Sequence, residues 1–205
     1  VIPIKNKKDI ENIIKKYKID VLHSQHMKST VLSSGLKTPL VVTLRDYWPL
    51  CYKGTLFNDN KQKNVEKSNY KYNLDCIYHE NKTLIKLLSP FAALYMIFRT
   101  KKALKALKKA TKIICVSNFV KNKISKSIKN HKLIAIPNMI DYNELKKIRP
   151  KEFNQKTILF VGKLMPSKGP QLLPEAIKGI KNVQLILIGN GKLKKSLREE
   201  LNKNN

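Results

Sequence analysis

Short β-branched apolar runs alternate along this chain with stretches whose apolar residues recur every third or fourth position. That rhythm predicts strands and helices in turn, the pattern of an α/β protein with parallel sheets. Ile10, Ile13, Ile14 and Tyr17 share one helical face, with Asp9 placed to cap it. A strand is expected over 19–23, then a small helix ending near Gly35, then a strand over 40–44 introduced by Pro39. Residues 52–82 read as a long polar insertion rich in Asn, Lys and Tyr, and 83–109 as largely helical despite Pro90. A strand over 112–116, a helix over 118–129 capped by Ser117 and a strand over 133–136 follow. The charged stretch 141–155, which contains Pro150, reads as a linker, so that a first domain covers 1–140 and a second begins at Lys156. No repeat of solenoid period is visible.

The most informative stretch is 158–191. An apolar run over 158–161 has the composition of a buried parallel strand and is broken by Gly162. Lys163 and Lys168 bracket a turn ending at Gly169, after which Leu172, Leu173, Ala176, Ile177 and Ile180 fall on one helical face. Pro174 is expected to delay that helix or kink it. A second apolar run over 183–188 closes at Gly189-Asn190-Gly191. Strand, basic turn, helix and strand make a βαβ unit with a phosphate-sized anion site at the helix N-terminus. Two lysines also fall in a turn of a lysine-rich chain with no anion to hold, and the pattern alone leaves both readings open.

The same stretch resembles the donor-binding motif of glycosyltransferase family four, the retaining GT-B enzymes. Val161-Gly162-Lys163-Leu164 stands where the family has V-G-R-L, and Lys168-Gly169 matches its K-G before a helix. Four further segments agree in order: IDVLHSQHM, VVTLRDYWPLC, ATKIICVSNFVKNKI and LIAIPNMID. The resemblance implies two Rossmann-like domains with parallel sheets, both incomplete here. Residues 1–140 would be the later part of the N-terminal acceptor-side domain, 141–155 the linker, and 156–205 the start of the nucleotide-sugar domain. The chain would then be an internal fragment, inactive by itself, with an acceptor loop upstream and a paired-glutamate motif downstream.

The implied reaction moves a hexose-type sugar from a nucleoside-diphosphate donor to a saccharide or lipid-linked acceptor with retention. Lys163 and Lys168 would stabilise charge developing on the β-phosphate without a metal or other cofactor. Gly162, Gly169, Gly189 and Asn138 would join them in holding the donor, Gly162 by letting the backbone come close. Lysine at 163 keeps the charge of the family's arginine but loses its bidentate fork. On the acceptor side, His23, His26, Arg45, Asp46 and Trp48 lie at strand ends, where ligands bind in open α/β sheets. Arg45 replaces the family's histidine, and Gln25 falls where its second turn histidine would be. Any single histidine here is as readily a structural hydrogen-bonding residue as a sugar contact. Met139 replaces the glycine of the I-P-N-G turn, so the turn need not be left-handed.

The net charge of +28 raises nucleic acid as a partner, but only Arg45, Arg99, Arg149 and Arg198 among the 42 basic residues are arginines. Base readout and bidentate phosphate recognition favour arginine, and the lysines are spread over the whole chain, so no specific nucleic-acid partner is expected. Cys51, Cys76 and Cys115 are too few and too scattered for a disulfide framework. Cys115 reads as core, and Cys51 and Cys76 as thiols rather than a clip with His79. Residues 84–98, interrupted by Lys86, Ser89 and Pro90, are too short to span a bilayer. With the lysine-rich helix that follows they read either as a peripheral element on anionic lipid or as a sheet-covering helix with a solvated lysine face. A cytoplasmic enzyme, with peripheral association on the inner membrane face, is expected. The alternative is a non-catalytic nucleotide-sugar or polyanion-binding module on the same fold.

Overall fold

The computed structural model describes residues 4–80, 86–149 and 153–203. The chain divides into two compact units, Val1–Asn60 with Asn64–Met139, and Ile140–Asn205 with Lys61–Lys63.

The first unit is built on four parallel strands in the order β1-β2-β5-β6: β1 (Leu22–Ser24), β2 (Leu40–Leu44), β5 (Lys112–Cys115) and β6 (Leu133–Ala135). Val42 lies opposite Ile113 and Leu44 opposite Cys115 in the central pair, and all four are fully buried. This is the composition a strand needs when helices lie on both of its faces. The helices are α1 (Lys7–Tyr17), α2 (Met27–Ser33), α3 (Tyr70–Glu80), α4 (Ser89–Lys108) and α5 (Asn118–Ser125). Leu107, Val120 and Ile124 join the strand residues in one core.

Several boundaries differ from the sequence reading for identifiable reasons. Asn6, not Asp9, caps α1; Asp9 is the third helical residue and closes a capping box, its carboxylate accepting from the Asn6 and Lys5 N–H groups. Those bonds hold the Asp9 carboxyl below the usual carboxylate range. Pro90 does not interrupt a helix but occupies the first turn of α4, where its missing N–H costs nothing. The expected helical residues 83–85 lie outside the described residues. Ser117 caps α5 as expected, its Oγ accepting from Val120 N–H, but α5 ends at Ser125, short of the expected 129, and a 3-10 turn, Asn130–Lys132, leads into β6.

The polar insertion is largely structured. It forms a two-stranded ribbon, β3 (Phe57–Asn58) with β4 (Lys63–Asn64), and the whole of α3. Tyr72, Cys76 and Ile77 of α3 are buried. The Tyr72 hydroxyl donates to the Phe57 carbonyl at 3.0 Å and lies 3.4 Å from Cys51 Sγ, so the insertion is pinned to the core by a polar contact. Desolvation raises the Tyr72 pKa far above that of a free tyrosine. All three cysteines are buried thiols with no disulfide among them.

The second unit carries a two-stranded parallel sheet, β7 (Lys156–Val161) and β8 (Val183–Ile188), paired in register from Lys156–Val183 to Val161–Ile188. Short helices α6 (Tyr142–Lys146) and α7 (Leu173–Ile177) and the longer α8 (Lys194–Lys203) accompany it. The expected burial of β7 is not found: Ile158, Leu159 and Val161 are exposed, because helices cover only part of a two-stranded sheet. The expected long helix after Gly169 is also absent. Pro166, Pro170 and Pro174 recur at four-residue spacing, each removing an N–H, and the chain makes two 3-10 turns before the five-residue α7. Leu172 and Ile180 of the predicted apolar face are exposed; Leu164, Pro170, Pro174 and Leu197 are buried instead.

Two outcomes test this packing. Lys132 Nζ donates to the Lys108 and Ala110 carbonyls, both at 2.9 Å, satisfying the C-terminal end of α4. Lys132→Met is expected to lower stability by about 1 kcal/mol in urea titrations. Burial pushes the Cys115 thiol up to about 11 from its ordinary 9.0, with Lys121 acting weakly against it. The folded state therefore keeps a proton that the unfolded chain loses first. This contribution is complete below pH 9 and is lost as pH rises toward 11. Cys115→Ala should flatten that decline in chemical unfolding measured across the interval.

Candidate functional site

The C-terminal ends of β7 and β8 do not separate where the strands stop. Gly162 N–H donates to the Ile188 carbonyl at 2.9 Å and Leu164 N–H to the Asn190 carbonyl at 2.9 Å. Leu164 is buried, and its own carbonyl accepts from Leu193 N–H at 3.0 Å. Leu164 thus pins the basic loop to the turn after β8. The approach is close enough to exclude side chains: a Cβ on Gly189 would overlap the Gly162 carbonyl oxygen, and one on Gly191 would overlap the Leu164 carbonyl. Gly189 and Gly191 are thus needed against the backbone of the basic loop, a role additional to clearance for a ligand. Gly162 itself has more room, its imagined Cβ meeting only the Phe160 ring at 3.5 Å.

From this pinned base the loop projects Lys163 and Lys168, both exposed. Lys168 ends the 3-10 turn Pro166–Lys168, and Gly169 turns the chain with φ 76°, a left-handed conformation suited to glycine. Gln171 fastens the loop by donating its side-chain amide to the Pro166 carbonyl at 3.2 Å. The expected helix N-terminus is not at Gly169. Pro170 has no N–H, Leu172 N–H is bonded to the Gly169 carbonyl at 3.1 Å, and α7 begins only at Leu173. Positive potential at this edge therefore comes from the lysine side chains rather than from a helix terminus.

The acceptor-side candidates sit at the C-terminal ends of β1 and β2 in the first unit. His23 is exposed, with Nε2 2.8 Å from Thr43 Oγ1, so this neighbouring-strand hydroxyl orients the ring. The His26 side chain is exposed while its carbonyl anchors the turn, accepting from Thr30 N–H, Ser29 Oγ, Thr30 Oγ1 and Ser24 Oγ. Arg45 and Asp46 are exposed at the end of β2. Asp46 Oδ1 accepts from Trp48 N–H at 2.9 Å, and Tyr47 N–H donates to the Gly54 carbonyl. Trp48 does not face solvent beside them. It is 8 % exposed within the core, and its indole N–H is buried without a partner. The sequence reading places Trp48 with the acceptor-side candidates at a strand end, but here its ring packs into the core. Asn138 is exposed beyond β6, and Met139 is not left-handed.

Sequence reasoning missed Leu164, Gly191 and Gln171 as positioning residues. Leu164 and Gly191 stand in or beside the two motifs, but the contact between their loops is set by the fold and leaves no mark in the sequence. Among the described residues no three His, Cys, Asp or Glu side chains gather as a metal site.

Comparison with known proteins follows the same lines. The family model described as Glycosyltransferase Family 4 matches residues 2–144, well over half of the chain. An uncharacterized glycosyltransferase of Methanocaldococcus jannaschii is 39% identical over 95 residues, 46% of this chain and 25% of that protein. Two crystal structures of Anabaena HepE, one with UDP and one with UDP-glucose, superpose with TM-scores of 0.56 and 0.54 at 15% and 14% identity. They cover 95% of this chain and 47% and 48% of HepE. The chain thus spans a quarter of the curated relative and about half of the solved structures. Two units with parallel sheets, and this likeness across nearly the whole chain, give the GT-B class of α/β fold. The chain belongs to Glycosyltransferase Family 4.

Proposed function

We propose that the protein transfers a hexose-type sugar from a nucleoside-diphosphate donor to a saccharide or lipid-linked acceptor with retention, without a metal. The observation that carries this reading is the loop held between two glycine-ended strands, which presents Lys163 and Lys168 to solvent from a rigid base. When the glycosidic bond breaks, negative charge grows on the β-phosphate. Fixed cations at that position lower the barrier because they need no reorganisation as the charge appears. HepE, whose fold this chain shares, holds UDP and UDP-glucose, which makes UDP the first nucleotide to try.

On this reading Lys168 has the larger transition-state role and Lys163 supports binding of the diphosphate. The exposed polar ends of β1 and β2, His23, His26, Arg45 and Asp46, supply acceptor contacts, with His23 held by Thr43. Trp48 contributes by packing under the turn.

In protein that turns over a nucleotide sugar, Lys168→Ala should lower turnover on the order of a hundredfold and leave the melting temperature nearly unchanged, since the side chain is exposed. Lys163→Arg should match or exceed the native rate, because the guanidinium adds a bidentate fork. Near-native turnover in Lys168→Ala would remove the donor phosphate from this loop, and donor binding without any sugar transfer would favour a non-catalytic binding module. Chelation with EDTA should leave turnover intact.

Gly189→Ala makes a separate prediction. The added methyl meets the Gly162 carbonyl, so the strand ends must part. Stability of the second unit should fall by roughly 2 kcal/mol or more. UDP binding followed by calorimetry should weaken with it, although no group that contacts the nucleotide has been removed.

A further inference from the structure

We propose that the solvent-facing row of α4 docks on an anionic lipid bilayer, its first half entering the acyl boundary and its second half lying against headgroup phosphates. This goes beyond the transferase reading and does not depend on it. The buried face of α4 is made by Ser89, Ala93, Thr100, Ala103, Ala106 and Leu107. On the opposite face, Phe91, Leu94, Tyr95 and Phe98 recur at helical spacing and are 74%, 61%, 60% and 64% exposed, with Leu87 and Leu88 exposed just before them. The same face then continues as Lys101, Lys102, Lys105 and Lys109, all exposed. One helix side is thus aromatic and aliphatic for its first half and cationic for its second. Beside it, Met27, Val31 and Leu32 of α2 extend the apolar surface across a cleft of about 490 Å³, and Lys28 adds a charge at its rim.

The charge pattern selects the occupant. No Asp or Glu occurs between Glu80 and Asp141, and none in α2, so neither helix that lines this surface supplies a carboxylate to the lysines. A parallel pairing of this face with a second copy would lay lysines on lysines, and an antiparallel overlap of the apolar halves would leave the lysine halves uncovered. A protein partner would have to match both halves with separate apolar and acidic patches. An anionic bilayer offers both at once, hydrocarbon below and phosphate at the surface, and lysine stems reach upward from an interfacial helix. No helix among the described residues is long and apolar enough to cross a membrane, which agrees with a helix lying in the interface.

Binding to phosphatidylcholine vesicles, with and without phosphatidylglycerol, tests the proposal by co-sedimentation of the whole chain. Attraction of a +28 polycation to anionic lipid is expected in any case, so the informative variant preserves charge. Phe91→Ser with Leu94→Ser and Phe98→Ser should weaken binding to anionic vesicles by about tenfold or more. Lys101→Gln with Lys102→Gln and Lys105→Gln should weaken it on the order of a hundredfold at low salt. Removing Lys7, Lys8 and Lys15 of α1 in the same way should have much less effect. Native affinity in the apolar variant would overturn the proposal, since adsorption by charge alone would suffice. Equal affinity for neutral vesicles would overturn it too, as would a dimer in ultracentrifugation that the apolar variant abolishes while vesicle binding is absent. Should a variant misfold, hydrogen exchange of the native chain decides: vesicles should slow exchange across 91–98, and unchanged exchange there would overturn the proposal.

Discussion

The burial of the β2–β5 strand pair is the constraint on which the first unit depends. Val42, Leu44, Ile113 and Cys115 have no solvent exposure, and parallel strands of this kind stay dry only if helices cover both faces. That requirement explains why α4 is amphipathic in an unusual sense. Its small and apolar residues, Ala93, Ala103 and Leu107, go to the protein, while its largest aromatic residues are left outside. Small residues allow close approach of the helix, and the bulky ones cannot fit between helix and neighbour. β1 pairs with β2 on the other side, which puts the exposed histidines and Arg45-Asp46 at the same edge of this sheet.

In the second unit the corresponding constraint is backbone against backbone. Gly189 meets the Gly162 carbonyl and Gly191 the Leu164 carbonyl with no room for a side chain on either turn glycine, and Leu164 is bonded on both sides by the turn after β8. A small sheet with exposed faces gains rigidity at the C-terminal ends of its strands from this junction rather than from a large core. Rigidity there suits the role proposed for Lys163 and Lys168, since electrostatic stabilisation works only if the charges are already in place. The three prolines after it serve the same end, since they prevent a helix from forming too early and leave a compact loop of 3-10 turns.

The region between β2 and α4 shows how local composition misleads. Its Asn, Lys and Tyr content is that of an exposed insertion, yet Tyr72 and Asn73 are buried. Tyr72 satisfies its hydroxyl on the Phe57 carbonyl, and Asn73 donates to the Ala93 carbonyl at 3.3 Å. Buried polar groups are tolerable when such partners exist. Those partners lie fifteen and twenty residues away, beyond any window of sequence periodicity.

The sequence by itself determined the alternation of strands and helices, the parallel character of the sheets, and the position of the glycine–lysine motif after β7. These follow from short-range properties: β-branched runs, helical spacing of apolar residues, and glycine where chain direction changes. It also determined that the stretch forming α4 contains no acidic residue, which needs no coordinates. Only the tertiary structure decided that Trp48 is core, that the expected helix terminus at Gly169 is a proline-broken loop, and that Phe91, Leu94 and Phe98 face outward. Helical spacing marks an apolar face but not which of two faces meets the protein. That choice depends on the space beside β2 and β5, and space is a property of residues distant in sequence.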